Sequence, residues 1–457
     1  MSLAGRPGGE MSGGGNLWAT IWQMSWPMLC IMVFNFFVGL ADVYVAGLIS
    51  PETQAAVGFV SQIYFFIIIL ANAIGIGTLA LVARETGAGD TAKALQTARQ
   101  SLFFSLLIGS ALTGLTLAFH REIIALAGFP GPVREIAEKF LRIFALSLGP
   151  NYVLIISNAV FRATGEVRKP LLTMFIVSLI NIAGDFMLVF GSYPVPAMGY
   201  QGIAVATSLS VFIGLCVNLL FLTQGRWRRV FSDRGPLSPE LIGKIVRIAW
   251  PAAVLQVAWG AGTIMLYNIL GRLGDESIVA MASLTNGLRI EAVIYLPAFA
   301  LNMAASVLVG QNLGSGDPVR AAAAGWRITG AGMLVISLMS VTVYIFAELF
   351  ASGLTGNPEV IRETARYLRF NMLAEPFMAM SAVLGGGLQG AGDTKGTMWV
   401  IIVSMWLIRL PLAYALALSF GYGALGVWFA MVLSMTIQGC LMALRFYRGG
   451  WRSLAVD

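Results

Sequence analysis

Residues 54–83 read QAAVGFVSQIYFFIIILANAIGIGTLALVA, without one charged side chain. A helix needs about 20 apolar residues to cross the hydrocarbon core of a bilayer, and this segment exceeds that length. Similar segments recur along the whole chain, which is 58% hydrophobic and 11% charged. Soluble domains carry roughly 25% charged residues, so this composition excludes a soluble globular protein.

The apolar segments predict helices and not a closed barrel, because they are long, continuous and lack the ten-residue alternation of barrel strands. The predicted fold class is therefore an all-α polytopic membrane protein with twelve transmembrane helices. We place the spans at 17–48, 54–83, 94–118, 139–161, 170–191, 200–223, 246–271, 278–309, 326–350, 370–390, 397–419 and 424–446.

The basic residues predict the orientation of these spans. Of the 29 Lys and Arg residues, nineteen fall on the side that also holds both termini, eight fall on the other side and two lie within spans. Positive loops stay in the cytoplasm, so we expect both termini to be cytoplasmic and the protein to lie in the cell inner membrane. The same asymmetry accounts for the net charge of +7 without nucleic-acid binding.

The two halves of the chain repeat each other. Trp26-Pro27 recurs as Trp250-Pro251, GAGD at 87–90 recurs as GSGD at 314–317, and FRATGEVRK at 161–169 aligns with LQGAGDTKG at 388–396. The glycine motifs predict turns and not phosphate loops, because no strand precedes them. Six spans followed by six spans indicate a parallel repeat, and transporters built this way bind substrate between the halves.

The longest polar connection separates the halves and sets the predicted domains. We expect a disordered cytoplasmic tail at 1–15, which is rich in Gly and has no apolar core of a signal peptide. A six-helix lobe at 16–223, a cytoplasmic linker at 224–245, a second lobe at 246–447 and a cytoplasmic tail at 448–457 follow.

The chain resembles the multidrug and toxic compound extrusion (MATE) family along nearly its whole length. The resemblance is carried by Pro27 and Asp42 in the first span, by GQNLGSGDPVRA at 310–321, by FRATGEVRKP with Asn181 and Asp185 behind it, and by LQGAGDT at 388–394. The pairing of Asp42 with Asp185 is similar to the DinF-like branch. The NorM-like branch carries acidic residues on spans 7 and 10 near the central cavity, and span 7 of this chain has none between Trp250 and Gly271.

The resemblance implies two pseudo-symmetric six-helix bundles around a V-shaped central cavity. It also implies a secondary antiporter that exports cationic amphipathic drugs and toxic organic compounds in exchange for H⁺ or Na⁺. The alternative is a flippase for lipids or lipid-linked oligosaccharides from the same superfamily. An enzyme is not expected, because no nucleophile–base arrangement, metal cluster or nucleotide motif is present in the sequence.

Two carboxylates deep in the first half are the candidates for ion coupling. Ionisable residues inside spans are costly and typical of function. Asn181 lies one helical turn before Asp185, and Asn35 lies two turns before Asp42. Two unpaired acids at similar depth disfavour double ionisation, which suits a group that takes up protons. The candidate ion-coupling residues are Asp42, Asp185, Asn181, Asn35, Asn158 and Thr207.

Each of these residues also has a structural interpretation. Asp42 in an interfacial position would reach water, and Asp185 with Asn181 would hold helices together. Pro27 is the candidate helix bend that links protonation to cavity shape, or a fixed kink. Met and aromatic side chains adapt to varied ligands or simply pack; the substrate-cavity candidates are Met28, Phe37, Met174 and Tyr44.

The second half has a different set of charges within its spans. Buried charges survive mainly as pairs, so we interpret Arg289, Glu291, Glu375 and Arg409 as a structural ion-pair group, with a second coupling site as the alternative. No cofactor and no metal are expected apart from the coupling ion. The expected partners are small cationic molecules and membrane lipid, and the expected state is a monomer.

Overall fold

The computed structural model describes residues 17–191, 196–232 and 238–454, without the side chains of residues 226, 231 and 232. The helices are α1 Leu17–Ile49, α2 Pro51–Gly87, α3 Thr91–Ala125, α4 Gly131–Ala145, α5 Leu148–Ala163, α6 Arg168–Phe190, α7 Tyr200–Leu222, α8 Arg229–Ser232, α9 Pro239–Leu270, α10 Ser277–Gly314, α11 Pro318–Ile345, α12 Ala347–Ser352, α13 Pro358–Met372, α14 Glu375–Gly390, α15 Thr394–Ile402, α16 Leu410–Tyr414 and α17 Gly423–Arg448.

The predicted twelve-span helical fold is confirmed. Ten helical segments in the described part of the chain are long and apolar enough to cross a membrane. α4 and α5 form an eleventh span that bends by 50° at its break. α13 and α14 occupy the equivalent positions 227 residues later, and the repeat of the two halves assigns them as the twelfth.

The bounds of these two broken spans differ from the sequence prediction. We expected single helices over 139–161 and 370–390, and the structure instead starts each span earlier, with α4 and α13, and breaks it in the middle. The first half of each span was not predicted as membrane-spanning, because α4 and α13 carry charged side chains on an exposed face and therefore have low hydropathy.

The repeated glycine motifs form the predicted turns between spans. Gly89, Gly316 and Gly392 have φ of 75°, 76° and 86°, a conformation that glycine adopts without steric cost. The aspartate that follows each glycine caps the next helix: Asp90 accepts from the backbone N–H of Lys93, and Asp317 from that of Arg320. This combination ends one helix and starts the next within a few residues.

The segment before the last span is irregular. Between α15 and α16 the backbone forms a π-helix over Val403–Arg409, and a second π-helix follows over Ala415–Ser419. Such stretches often mark functional sites, and the first of them ends at the buried Arg409.

The chain divides into two compact units. One contains Cys30–Trp250, and the other contains Pro251–Asp457 together with residues before Cys30. The chain therefore changes unit inside α1, just after Pro27, and inside α9, just before Pro251. The lobe limits at 223 and 246 stay a prediction, and residues 1–15 lie outside the described part of the chain.

Each unit has its own apolar core. In the first unit, α2, α4 and α7 surround a cluster that includes Val57, Phe140, Phe144 and Ile203. In the second, residues of α10, α13, α14 and α17 form the largest cluster, which includes Tyr367 and Trp428 with ring centroids 4.7 Å apart. Both clusters lie beside buried charged or polar groups.

Candidate functional site

Asp42, Asn181 and Thr207 form a hydrogen-bonded group in the unit Cys30–Trp250. The amide nitrogen of Asn181 donates to Thr207 Oγ1 at 2.9 Å and, over a longer 3.4 Å, to Asp42 Oδ1. Thr207 in turn donates to the carbonyl of Ile203. Helices α1, α6 and α7 each contribute one of the three side chains, so the site joins three spans.

Asp185 lies beside this group and is fully buried. Its carboxyl group interacts with that of Asp42, yet neither Asp185 oxygen has a hydrogen-bond partner among the described residues, and nor does Asn181 Oδ1. Two ionised carboxylates only accept hydrogen bonds. A direct hydrogen bond between these two carboxyl groups therefore requires a proton on one of them. Alternatively, the unpaired oxygens are suited to bind a small cation.

Asn158 belongs to a separate polar layer. Its Oδ1 accepts from Asn218 Nδ2 at 2.8 Å, and the same nitrogen donates to Ser157 Oγ at 2.7 Å. Thr173 donates to Asn218 Oδ1 at 2.6 Å. Thr173 lies eight residues before Asn181 on α6, which corresponds to about 12 Å along the helix. The structure therefore does not bring Asn158 to the aspartate pair.

The sequence analysis missed Ser157, Thr173 and Asn218. Each lies in a largely apolar span and is fully buried, and that combination is the signal that could have found them. A lone Asn in a transmembrane helix is expected to hydrogen-bond across helices. Its partners could not be named, because spacing along the sequence defines only the face of a single helix.

The remaining candidates of the first span lie elsewhere. Asn35 is exposed and donates to the carbonyl of Ile31 in its own helix at 3.0 Å. Phe37 and Tyr44, seven residues apart on α1, are 50% and 58% exposed. Pro27 lies within α1 as predicted. The roles assigned to these residues stay predictions.

The two methionine candidates lie in different units. Met174 has its sulfur 4.0 Å from Asn158 Nδ2 and so borders the Asn158 layer. Met28 precedes the division within α1 and is fully buried. Neither contacts the aspartate pair in any interaction that the structure describes.

The other unit contains a second buried acidic group. Tyr367 donates to Glu291 Oε1 at 2.8 Å, and Tyr295 donates to Glu291 Oε2 at 3.0 Å. Glu375 is fully buried at the start of α14, and neither of its oxygens has a hydrogen-bond partner among the described residues. It interacts electrostatically with Glu291, so two acids again lie close together.

The ion pairs predicted for this unit are not formed among the described residues. Arg409 is 4% exposed and donates from Nε to Ser434 Oγ at 2.7 Å. It interacts with Glu291 and Glu375 only at longer range. The Glu291 oxygens instead accept hydrogen bonds from the two tyrosines, and Arg409 Nε donates to Ser434. Arg289 is exposed and takes no part in the group.

A small cavity opens beside these charges. It measures about 40 Å³ and is lined by Trp259, Thr263, Leu266, Leu284, Leu288, Glu291, Tyr295, Arg409, Met431 and Met435. That volume is sufficient for water beside polar groups. The arrangement can therefore hydrate or exchange a proton at Glu291, in addition to holding helices together.

Apolar helices in two repeated halves, with carboxylates buried inside both units, define a multi-pass membrane transporter. The chain belongs to the MatE family, whose model matches residues 27–187 and again residues 251–415. The family consists of transporters and not of enzymes. The family predicted from the sequence is thus confirmed, while the DinF-like branch stays a prediction.

Relatives align along nearly the whole chain. A protein of Thermotoga maritima named "Probable multidrug resistance protein NorM" is 26% identical over 440 residues, which cover 95% of this chain and 93% of the relative. The "Multidrug resistance protein PmpM" of Pseudomonas aeruginosa is 26% identical over 435 residues, with 93% and 90% covered.

The fold also matches solved structures. A multidrug resistance MATE family transporter of the MOP superfamily, solved in an outward-facing conformation, superposes with a TM-score of 0.89 at 22% identity, covering 96% of this chain and 98% of the other. At this identity the match supports the fold of the chain and says nothing about its substrates.

Proposed function

We propose that this transporter is a multidrug efflux protein that exports cationic amphipathic organic compounds in exchange for protons bound at Asp42 and Asp185. The observation that carries the proposal is the buried Asp185 carboxyl, which lies beside Asp42 and has no hydrogen-bond partner for either oxygen among the described residues. The names of the relatives support multidrug export as the activity.

The exchange follows from competition at the aspartate pair. When the acids are ionised, they attract a cation and leave oxygens without donors. When a proton binds, the carboxyl groups bond to each other, the negative charge falls and the cation is held less tightly. A ligand shifts a conformational equilibrium only through its different affinity for the two states, so proton and substrate must favour opposite states.

The helix geometry supplies a route from protonation to movement. Asp42 lies 15 residues after Pro27 on the same helix, and proline removes one backbone hydrogen bond and weakens the helix locally. We propose that α1 bends at Pro27 when the pair is protonated. The side chains of Phe37, Tyr44 and Met174 are of the aromatic and methionine types that repack around varied substrates.

The membrane topology is part of the proposal. From the charge asymmetry we propose that both termini and the 224–245 segment lie in the cytoplasm and that the protein lies in the inner membrane. Epitope tags at either end of the chain are expected to be shielded from antibody added to intact cells. Tags labelled in intact cells would contradict this topology.

The test measures dye efflux from proteoliposomes, first under a pH gradient alone and then under a Na⁺ gradient alone. Asp42→Asn and Asp185→Asn are each expected to insert normally and to lose efflux driven by the pH gradient. Asp90→Asn is the matched control, because the Asp90 side chain is 39% exposed and caps α3, a position that Asn caps as well as Asp does.

The outcomes separate the possibilities. Wild-type efflux in both aspartate variants would exclude the pair as the coupling site. Loss of only Na⁺-driven efflux would show that the site is correct and that the coupling ion is Na⁺. A lipid flippase remains the alternative, and transport of a pyrophosphate-linked lipid in preference to a cationic dye would establish it.

A further inference from the structure

Three arginines on one helix line a surface pocket in the unit that contains Pro251–Asp457. Arg362, Arg366 and Arg369 follow one another on α13 at spacings of four and three residues, so they share one helix face. Together with Tyr344, Phe370 and Leu373 they line a pocket of about 430 Å³. That volume is within the range of ligand sites in proteins.

The neighbouring acids neutralise only part of this charge. Arg366 Nη1 lies 3.0 Å from Glu363, and Arg369 Nη2 lies 3.0 Å from Glu348 on α12. Glu363 also accepts from Trp428 Nε1 at 2.8 Å. Arg362 is exposed and has no ion-pair partner among the described residues, so the pocket keeps a positive charge that is free to bind an anion.

The position of these arginines is unusual for a membrane protein. In the proposed topology they are on the side of the membrane that holds only eight of the basic residues outside the spans. Basic residues there are not favoured by the rule that places positive loops in the cytoplasm. Three of the eight lie together on α13, where they line the pocket, and three others lie on the repeat-equivalent α4.

An apolar surface continues from the pocket along α11. Leu338, Val341 and Ile345 are 63%, 57% and 61% exposed and lie on one face of α11. Tyr344, which lines the pocket, is 43% exposed beside them. An occupant that fits both regions has an anionic head and an apolar chain.

We propose that this pocket binds the phosphate headgroup of an anionic phospholipid, with the acyl chains against α11. Guanidinium groups bind phosphate oxygens through paired N–H donors and keep their charge at any physiological pH. Arg362 donates to the phosphate without giving up an ion pair, while Arg366 and Arg369 orient it. Basic pockets between transmembrane helices bind anionic headgroups by the same chemistry.

The test uses the purified full-length protein in a non-ionic detergent, with dioctanoyl phosphatidylglycerol, dioctanoyl phosphatidylcholine and inorganic phosphate as probes. Native mass spectrometry gives the affinities and thermal shift gives the stabilisation. Phosphatidylglycerol is expected to bind roughly tenfold tighter than phosphatidylcholine, since one charge-assisted bond contributes about 1.5 kcal/mol or more.

Two variants and a matched control make the test specific. Arg362→Gln breaks no ion pair and is expected to weaken phosphatidylglycerol binding about tenfold. The triple variant with Gln at 362, 366 and 369 should bind both lipids equally. The control replaces Arg134, Lys139 and Arg142, which lie on the repeat-equivalent α4, and should leave the affinity unchanged.

Three results would overturn the proposal. An equal loss of binding in the α4 control would show a general effect of charge. Unchanged phosphatidylglycerol affinity in Arg362→Gln and in the triple variant would exclude the pocket. Displacement of the lipid by millimolar inorganic phosphate, with the same stabilisation, would identify a site for free anions.

Discussion

Trp227 and Trp451 lie 224 residues apart, and each is 1% exposed in a 3₁₀ turn that follows the sixth span of its half. Trp227 donates from Nε1 to both oxygens of Glu166, at 3.1 and 3.2 Å. Trp451 donates to the backbone carbonyl of Phe446 at 2.8 Å and stacks on its ring. The repeat therefore extends beyond the helices to a buried tryptophan with a different acceptor in each half.

This difference predicts unequal effects of Trp→Phe substitutions. Both changes keep an aromatic ring, and both lose one N–H donor. A hydrogen bond to a charged acceptor contributes about 1.5–3 kcal/mol, against about 1 kcal/mol for a neutral one. Trp227→Phe should therefore lower the melting temperature in detergent more than Trp451→Phe does. Equal shifts would show that the ring packing alone anchors both segments.

The sequence predicted the fold because its strongest signals do not depend on tertiary contacts. Apolar length defines a span in any arrangement of helices, and the repeated glycine–aspartate motifs at 87–90 and 314–317 end and start helices through local backbone geometry. The two broken spans were harder to predict, since a break at Leu146–Ser147 depends on how α4 and α5 pack against α2.

Packing of α14 against α10 predicts a second result. Gly386 and Gly390 face α10 one turn apart, and a Cβ on Gly390 would overlap the backbone carbonyl of Ser306. Small residues allow such close approach of helix backbones in membranes. Gly390→Ala should lower the melting temperature and the yield of folded protein, because the backbone cannot move aside, at a cost of about 1–3 kcal/mol or more.

Gly330→Ala is the matched control in a neighbouring helix. No atom lies within 4 Å of the Cβ position at Gly330, and alanine is favoured over glycine inside a helix by roughly 1 kcal/mol. This variant should be neutral or slightly more stable, as measured by the same thermal melt. A stable Gly390→Ala protein would show that α10 and α14 are less closely packed than described.

The charges of the second unit predict an order of stability. Removing Arg409 takes away the positive charge that acts on both buried acids, Glu291 and Glu375. Removing Glu375 instead leaves Glu291 with two tyrosine donors and Arg409. Stranding a buried charge costs about 3–5 kcal/mol. Arg409→Gln should therefore reduce folded yield more than Glu375→Gln does.

The control and the double variant complete this test. Arg289→Gln should behave as the wild type, because Arg289 is exposed. Adding Glu375→Gln to Arg409→Gln should recover part of the yield, since the remaining acid then has no close acidic neighbour. If Glu375→Gln is instead the less stable variant, the positive charge of Arg409 is not what stabilises the two buried carboxylates. A stable Glu375→Gln protein without efflux would make Glu375 a second coupling residue.

Half of the candidate site could be predicted and half could not, for a physical reason. Asp185 and Asn181 are one turn apart on α6, so helix periodicity alone places them on one face. The contacts from Asn181 to Asp42 and Thr207 join residues 139 and 26 positions apart. Nothing in local spacing defines such contacts, and the same holds for Tyr367, which lies 76 positions from Glu291. Tyr295, by contrast, is one helical turn from Glu291 on α10.

The separation of the two polar layers in the first unit predicts that only one of them controls the pH dependence of substrate binding. Thr207→Val and Thr173→Val are matched changes, since each removes one hydroxyl and keeps a β-branched side chain. Thr207 accepts from Asn181, which also donates to Asp42, so its loss frees the amide to bond more strongly to Asp42. Thr173 donates to Asn218 and lies about 12 Å from Asn181 along α6.

A stronger hydrogen bond to Asp42 stabilises its ionised form, so protons should compete with substrate only at a lower pH. Substrate affinity, measured by dye binding across a pH series, is expected to weaken as pH falls in the wild type. In Thr207→Val the midpoint of this pH dependence should move to lower pH. In Thr173→Val the midpoint should stay unchanged. The melting temperature of Thr173→Val should fall, because one buried hydrogen bond worth about 1 kcal/mol is lost. The same midpoint shift in both variants would mean that the two layers act as one network, and an unchanged midpoint in Thr207→Val would mean that Asn181 does not control the charge of Asp42.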